Sequence, residues 1–390
     1  MSIDSKFVLR NSKLSKVRTW IEIAKRPLFS NLRYFAKRAR GTSIIAMIKS
    51  NAYGHGLVLV ARLLANSKLQ NPNGRLWFGV DSITEALRLR KESIKNRILV
   101  MGYTLPARLK EAEAHKVTIT ISHFEGLAEL AKLKRRPQFH LKLDTGMHRQ
   151  GFQEGDMPRL ISVLQRHQLN PEGIYSHLAM ASNAAFSKKQ SAVFERCLAA
   201  LKQAGVTPKL AHFNKTEGIV NFPKSRYNIV RLGIGLYGYY PTRKLPLKPV
   251  LTWKTIVSEV KKIPKGDYVS YDLAEKVSRD TTIAILPVGY WHGFDRGLSS
   301  AGEVLIHGKR ARVLGRVTMD MVAVDITDIN RDFKDKGLRI TSSVKVGDEV
   351  VIIGQQGREK ITADEMADKI GTTAYEVLTR INPLIYKKIL

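Results

Sequence analysis

The chain has one cysteine, Cys197, in 390 residues, so no intramolecular disulfide can form and redox usage gives no clue to function. That cysteine lies in AVFERCLAALKQ, where the apolar spacing is that of a packed helix face. No apolar run approaches the roughly 20 residues of a membrane span. The opening stretch Met1 to Val17 is basic but has no continuous apolar region of the kind export requires, so the sequence reads as cytoplasmic. Low-complexity segments are also missing. Acidic residues are scarce, with 34 Asp and Glu against 65 Lys and Arg, a net charge of +31. Such an excess raises nucleic-acid or anionic-membrane binding, but it is scattered along the chain rather than gathered in a tail or a recognisable motif. It therefore predicts a solvated basic surface and no specific nucleic-acid partner.

Length and a 44% apolar content allow two folded domains. From about residue 18 to 240, β-rich runs alternate with amphipathic helical segments such as SITEALRLRK and KQSAVFERCLAALKQ. Eight strands can be counted, at 44–50, 76–80, 97–102, 117–122, 139–144, 173–179, 209–213 and 229–238. Eight such repeats in this length predict an α/β fold with an N-terminal (β/α)8 TIM-like barrel, rather than an open doubly wound sheet. Past residue 245 the texture changes to closely spaced β-rich pieces, with helical character only near the end. The expected organisation is a basic extension over 1–17, a barrel over 18–245 and a C-terminal mostly-β domain over 246–390.

The sharpest local feature is AMIKSNAYGHG, where a strand delivers Lys49 and breaks into a loop with Tyr53, Gly54, His55 and Gly56. A lysine desolvated in a barrel is driven toward its neutral amine, which suits bonding to a carbonyl cofactor. Taken singly, Lys49 also reads as a strand-end lysine reaching solvent. The whole stretch, however, closely resembles the cofactor-attachment motif of the alanine racemase family: a lysine, a small residue, then Asn-Ala-Tyr-Gly-His-Gly. The resemblance runs along the chain from about residue 18. It implies that Lys49 holds pyridoxal 5'-phosphate covalently and that Tyr53 contacts the cofactor phosphate.

Further matches carry further implied roles. In HLKLDTGMHRQGF, Arg149 resembles the arginine that bonds the cofactor's phenolic oxygen and helps hold the substrate carboxylate. Lys142 resembles a lysine that is often carbamylated to orient that arginine. His177 resembles a link between the catalytic tyrosine and Arg231, with His212 supporting Arg231 from behind. Thr216, the amides of Gly233 and Ile234, and Tyr375 resemble phosphate contacts. Arg231 resembles the arginine facing the pyridine nitrogen, where a cation leaves the ring unprotonated and weakens it as an electron sink. In VSYD, Tyr271 matches the second catalytic base. Tyr290, Arg296, Met319 and Asp320 match the substrate entrance and pocket. Departures from the family pattern are Lys215 for asparagine, Asp272 for glycine, His292 for aspartate and Thr318 for cysteine.

The resemblance implies a homodimer with shared active sites. A small amino acid would be racemised by two bases, Lys49 of one subunit and Tyr271 of the other. Alanine is the default substrate, with D-alanine destined for peptidoglycan. A broad-specificity racemase is the alternative within the enzyme class. A non-catalytic cofactor-binding barrel is the alternative outside it, and such proteins lack a second domain.

Overall fold

The computed structural model describes residues 17–39, 41–65, 76–222, 227–240, 245–330 and 343–390. The expected basic extension, but for Val17, lies outside the described residues. Following β1 (Thr19–Ile23), eight short strands alternate with helices: β2 (Ser43–Met47), β3 (Trp77–Val80), β4 (Ile98–Val100), β5 (Ile119–Ile121), β6 (Phe139–Lys142), β7 (Gly173–Tyr175), β8 (Leu210–His212) and β9 (Ile229–Leu232). They are largely buried and pair in parallel, as strands covered on both faces must. Their order is β4-β3-β2-β9-β8-β7-β6-β5, and a bridge between Leu99 and Thr118 joins the two ends, so the expected TIM-like barrel forms.

Strand register decides what fills the barrel. Lys142 lies beside Tyr175 and Tyr175 beside His212, while two residues earlier His140 lies beside Gly173. Residues two apart share a face of a strand. His140, Lys142, Tyr175 and His212 accordingly form a buried polar group where hydrocarbon is the usual filling. Outside the barrel, helix Ala184–Gln203 is capped by the Asn183 side chain, which accepts from the Phe186 amide at 3.0 Å. Its buried stripe, Ser187, Gln190, Phe194, Cys197 and Leu201, recurs every three or four residues and packs the cysteine as its spacing predicts.

The exit from β2 is unusual. The strand stops at Met47, short of Lys49, and Ser50, Asn51, Ala52 and Tyr53 all take φ between 53° and 55°. Consecutive left-handed residues cost roughly 1–2 kcal/mol each for L-amino acids. The turn is held by its own polar groups. The Asn51 amide donates to Glu85 at 3.2 Å, the Asn51 side chain accepts from the Leu57 amide at 2.9 Å, and the Ala52 amide donates to the Ile48 carbonyl at 2.8 Å.

The chain divides into two compact units. One comprises Arg26–Ala52 and Leu57–Lys248; the other takes the residues up to Lys25, Tyr53–Gly56 and Pro249–Leu390. The second unit is mostly strand: β10 (Leu251–Ile256), β11 (Glu259–Ile263), β12 (Tyr268–Val269), β13 (Glu275–Lys276), β14 (Thr281–Leu286), β15 (Glu303–Ile306), β16 (Lys309–Leu314), β17 (Val322–Asp325), β18 (Glu349–Gln356), β19 (Glu359–Ile361) and β20 (Tyr386–Ile389). Within it β1 pairs antiparallel with β10 and parallel with β20. Residues 18–25, expected with the barrel, thus pair into the strand-rich unit, and the helical character expected near the end is present as helices Ala363–Lys369 and Ala374–Arg380, ahead of β20. Apolar alternation marks β1 as a strand, but the sheet it joins depends on partners more than 200 residues away. Among the described residues, no helix is long and apolar enough to cross a membrane.

Candidate active site

Arg231, on β9, is buried in the barrel unit and organises its polar interior. Its Nη1 donates to His212 Nδ1 at 2.5 Å and to the His212 carbonyl at 3.2 Å. Its Nη2 donates to the carbonyls of Ser176 at 2.6 Å and Phe213 at 3.0 Å, and reaches His177 Nδ1 at 3.3 Å. Every acceptor it uses among the described residues is neutral. Burial brings its pKa down to about 10, which still leaves it charged at neutral pH. Burial, followed by the Arg231 charge, holds His177 and His212 well below the usual histidine range, so both are neutral imidazoles. Arg231 thus bonds both His177 and His212.

Lys49 follows β2 directly, and its Nζ lies 3.3 Å from Asp81 Oδ1, the two side chains being 36% and 56% exposed. The lysine expected to be desolvated is thus partly solvated and paired. Desolvation falls instead on Lys142, which is 4% exposed and stands 5.0 Å over the Tyr175 ring. Burial first, then the charges of Arg231 and Arg149, push the Lys142 amine down to about 7. Arg149 is exposed on the loop after β6. That loop is shaped by Asp144, whose Oδ1 accepts from the amides of Gly146, Met147 and His148, each at 3.0 Å.

Thr216 opens the helix Thr216–Asn221, and its hydroxyl accepts from the Gly233 amide at 3.0 Å and the Gly235 amide at 3.5 Å. Ile234 begins the short 3-10 turn that follows β9. A Cβ at Gly235 would stand 2.6 Å from Phe35 and from Thr216, so the close approach of these backbones needs glycine. Lys215 forms an ion pair with Glu217 at 2.9 Å, which offsets the charge that this departure introduces.

The remaining expected residues fall in the strand-rich unit. Tyr271 is 71% exposed, on a turn where Ser270, Asp272 and Leu273 all have positive φ. Asp272 tolerates the left-handed region better than most side chains and pairs with Arg316 at 3.5 Å. Tyr271, Tyr290, Arg296, Met319 and Asp320 line one open cavity of about 1080 Å³, too wide to select a methyl side chain by itself. The Thr318 hydroxyl donates to the Met321 carbonyl at 2.8 Å, which gives this replacement a local turn-closing role. The rings of Tyr53 and Tyr375 lie 6.0 Å apart in this same unit.

Sequence reasoning missed Asp81, Thr120, His140, Glu172, Tyr175 and Gln190. Tyr175 stacks on His212 at 4.5 Å and bonds Thr120 at 2.9 Å, and Gln190 holds the His177 carbonyl at 3.1 Å. One signal was available for His140. In FHLKLD the polar residues 140, 142 and 144 alternate with apolar ones, which places His140 on the face of Lys142. The other residues carry no comparable local pattern.

The donor set fits a phosphorylated carbonyl compound. Lys49, Lys142, Arg149 and Arg231 bring cations to the C-terminal ends of barrel strands, and glycine amides converge on Thr216. Among the described residues no cluster of His, Cys, Asp and Glu could hold a metal ion.

Similarity to known proteins covers nearly the whole chain. A family model for the alanine racemase N-terminal domain matches residues 23–241, and one for the alanine racemase C-terminal domain matches residues 250–389. An alanine racemase of Carboxydothermus hydrogenoformans is 40% identical over 94% of this chain and 99% of its own. One of Leptospira interrogans is 34% identical over 94% of each chain. Among solved structures, an alanine racemase from Clostridium difficile superposes with a TM-score of 0.86 at 31% identity, covering 96% of both chains. One from Bacillus anthracis with bound L-Ala-P gives 0.86 at 30% identity, covering 96% of this chain and 95% of that one.

Proposed function

The chain belongs to the alanine racemase family, and from that membership we propose that it binds pyridoxal 5'-phosphate through Lys49 and interconverts L-alanine and D-alanine by a two-base reaction in a homodimer. The enzyme class is that of an alanine racemase, an amino-acid isomerase. When bound, the cofactor supplies the electron-withdrawing system that acidifies the α-hydrogen of the amino acid joined to it.

The chain's own residues do the rest. Lys49 exchanges a proton at Cα on one face and Tyr271 of the partner subunit on the other, so the centre inverts without rotating. Arg149 anchors the substrate carboxylate, a task for a planar cation that stays charged, and a carbamate on Lys142 orients it. Thr216, Gly233 and Ile234 hold the phosphate, with Tyr53 and Tyr375 assigned the same ligand by family resemblance. Tyr290, Met319 and Asp320 border the substrate entrance, and Arg296 supports it. D-alanine would feed peptidoglycan synthesis in the cytoplasm.

The observation that carries this reading is Arg231. It is a buried guanidinium bonded only to neutral acceptors among the described residues. At the place that family resemblance gives the ring nitrogen's partner, it would leave that nitrogen unprotonated, which would limit charge delocalisation and favour prompt return of the proton to Cα. Two measurements test the proposal. Chiral analysis of products from each L-amino acid should show alanine racemised fastest. Borohydride reduction and peptide mapping should place the cofactor on Lys49. Absence of D-alanine, or a label on another lysine, refutes it.

A further inference from the structure

Deeper in the barrel, a second row of polar side chains extends from Arg231 toward the N-terminal ends of the strands. His212 Nε2 lies 2.8 Å from His140 Nδ1, and His140 Nε2 faces the Glu172 carboxylate at 3.7 Å. The other oxygen of that carboxylate accepts from Arg97. Arg97 in turn lies 3.8 Å over the Trp77 ring, which packs against His140. We propose that Glu172 and His140 are positioning residues for Arg231, acting through His212 to complete one ordered chain of donors that begins at the guanidinium. The proposal rests on the placement of Arg231 opposite the cofactor ring.

The ordering follows from what each group can donate. Arginine has donors only, so His212 Nδ1 must accept from it. Burial keeps His212 and His140 neutral, with one ring proton each. His212 then carries its proton on Nε2 and donates to His140 Nδ1, which leaves the His140 proton on Nε2, pointing at Glu172. Burial raises the Glu172 pKa, but His140 and Arg97 outweigh it and hold the carboxyl below its usual value, so the chain ends on an anion. The Arg231–His212 and His212–His140 bonds are satisfied in this direction only, and the His140 proton then points at Glu172 Oε2 across 3.7 Å, a charge contact longer than a hydrogen bond. In the reverse direction His212 Nδ1 would carry a proton, meeting the Arg231 donor head-on 2.5 Å away.

The barrel is built around this chain. A Cβ at residue 173 would stand 2.6 Å from the His140 ring, and Gly173 does not have positive φ, so glycine here makes room for the imidazole. The nearest acceptors of Arg231 are all neutral among the described residues. The Glu172 carboxylate, relayed through two polarised imidazoles, is the negative charge at the end of its donor chain.

The test reads the histidine tautomers directly in 15N-histidine-labelled holoenzyme, with His140→Phe and His212→Gln assigning the signals. Both rings should be protonated on Nε2. Glu172→Gln, which removes the charge at the end of the chain, should leave both rings protonated on Nε2 but shift the His140 Nε2 signal. It should also lower kcat about tenfold or more with a smaller change in KM, and Glu172→Asp should restore both readouts. His140→Phe keeps a ring in the space, should shift the His212 Nε2 signal by removing its acceptor, and serves if Glu172→Gln does not fold. Nδ1 protonation of either ring in the wild type, or unchanged ring signals in both variants, overturns the proposal. Shifted ring signals with unchanged kcat would support the ordered chain and overturn the placement of Arg231 opposite the cofactor.

Discussion

Lys142 stands on β6 with 4% of its surface exposed, and burial followed by the Arg231 and Arg149 charges brings its amine to about 7. Carbon dioxide adds only to a neutral amine. At about pH 7.5 a group with that pKa is roughly three-quarters neutral, whereas an ordinary lysine is neutral about one time in a thousand. The structure thus makes the reactive form several hundred-fold more abundant, to order of magnitude, than on a surface lysine. Adding the carboxylate also turns repulsion from Arg149 and Arg231 into attraction, which favours the product. The perturbation is pH in the presence of 13C-bicarbonate, and the assay is 13C NMR of the holoenzyme beside a Lys142→Ala control. A labelled carbon absent from the control should appear strongly at about pH 8.5 and weaken as pH falls through 7. Identical spectra for the two proteins at the higher pH would refute the reasoning.

The same lysine makes a stability prediction. Its pKa in the folded protein lies below the unfolded value of 10.5, so folding expels a proton between about pH 7 and that value. The penalty is full below pH 7 and fades as pH rises, so in carbon-dioxide-free buffer Lys142→Met should raise the melting temperature more at about pH 6 than at about pH 9. Equal gains would count against a buried amine. Gly54→Ala should cost about 2 kcal/mol or more, because φ is +84° and the new Cβ would stand 2.0 Å from the Leu378 carbonyl oxygen. Urea unfolding showing wild-type stability would contradict it. Mixing Lys49→Ala with Tyr271→Phe protein should restore activity as heterodimers form, since each regains one site with both bases. Verified heterodimers without activity would end the shared-site reading.

Much of this molecule was legible in local pattern. Alternation of apolar strands and amphipathic helices determined the barrel, because both periodicities follow from backbone geometry alone. The run from Lys49 to Gly56 identified the family, and helical spacing buried Cys197. What depends on through-space neighbours was decided only by the tertiary structure. β1 carries strand pattern but joins β10 and β20, since edge pairing reflects partners that sequence proximity does not specify. Desolvation landed on Lys142 rather than Lys49, because burial is set by strand register and not by residue type. Arg97 and Glu172, 75 residues apart, carry no motif that foretells their meeting. They meet because parallel pairing around the barrel brings the starts of distant strands together, and there the field around Arg231 is completed.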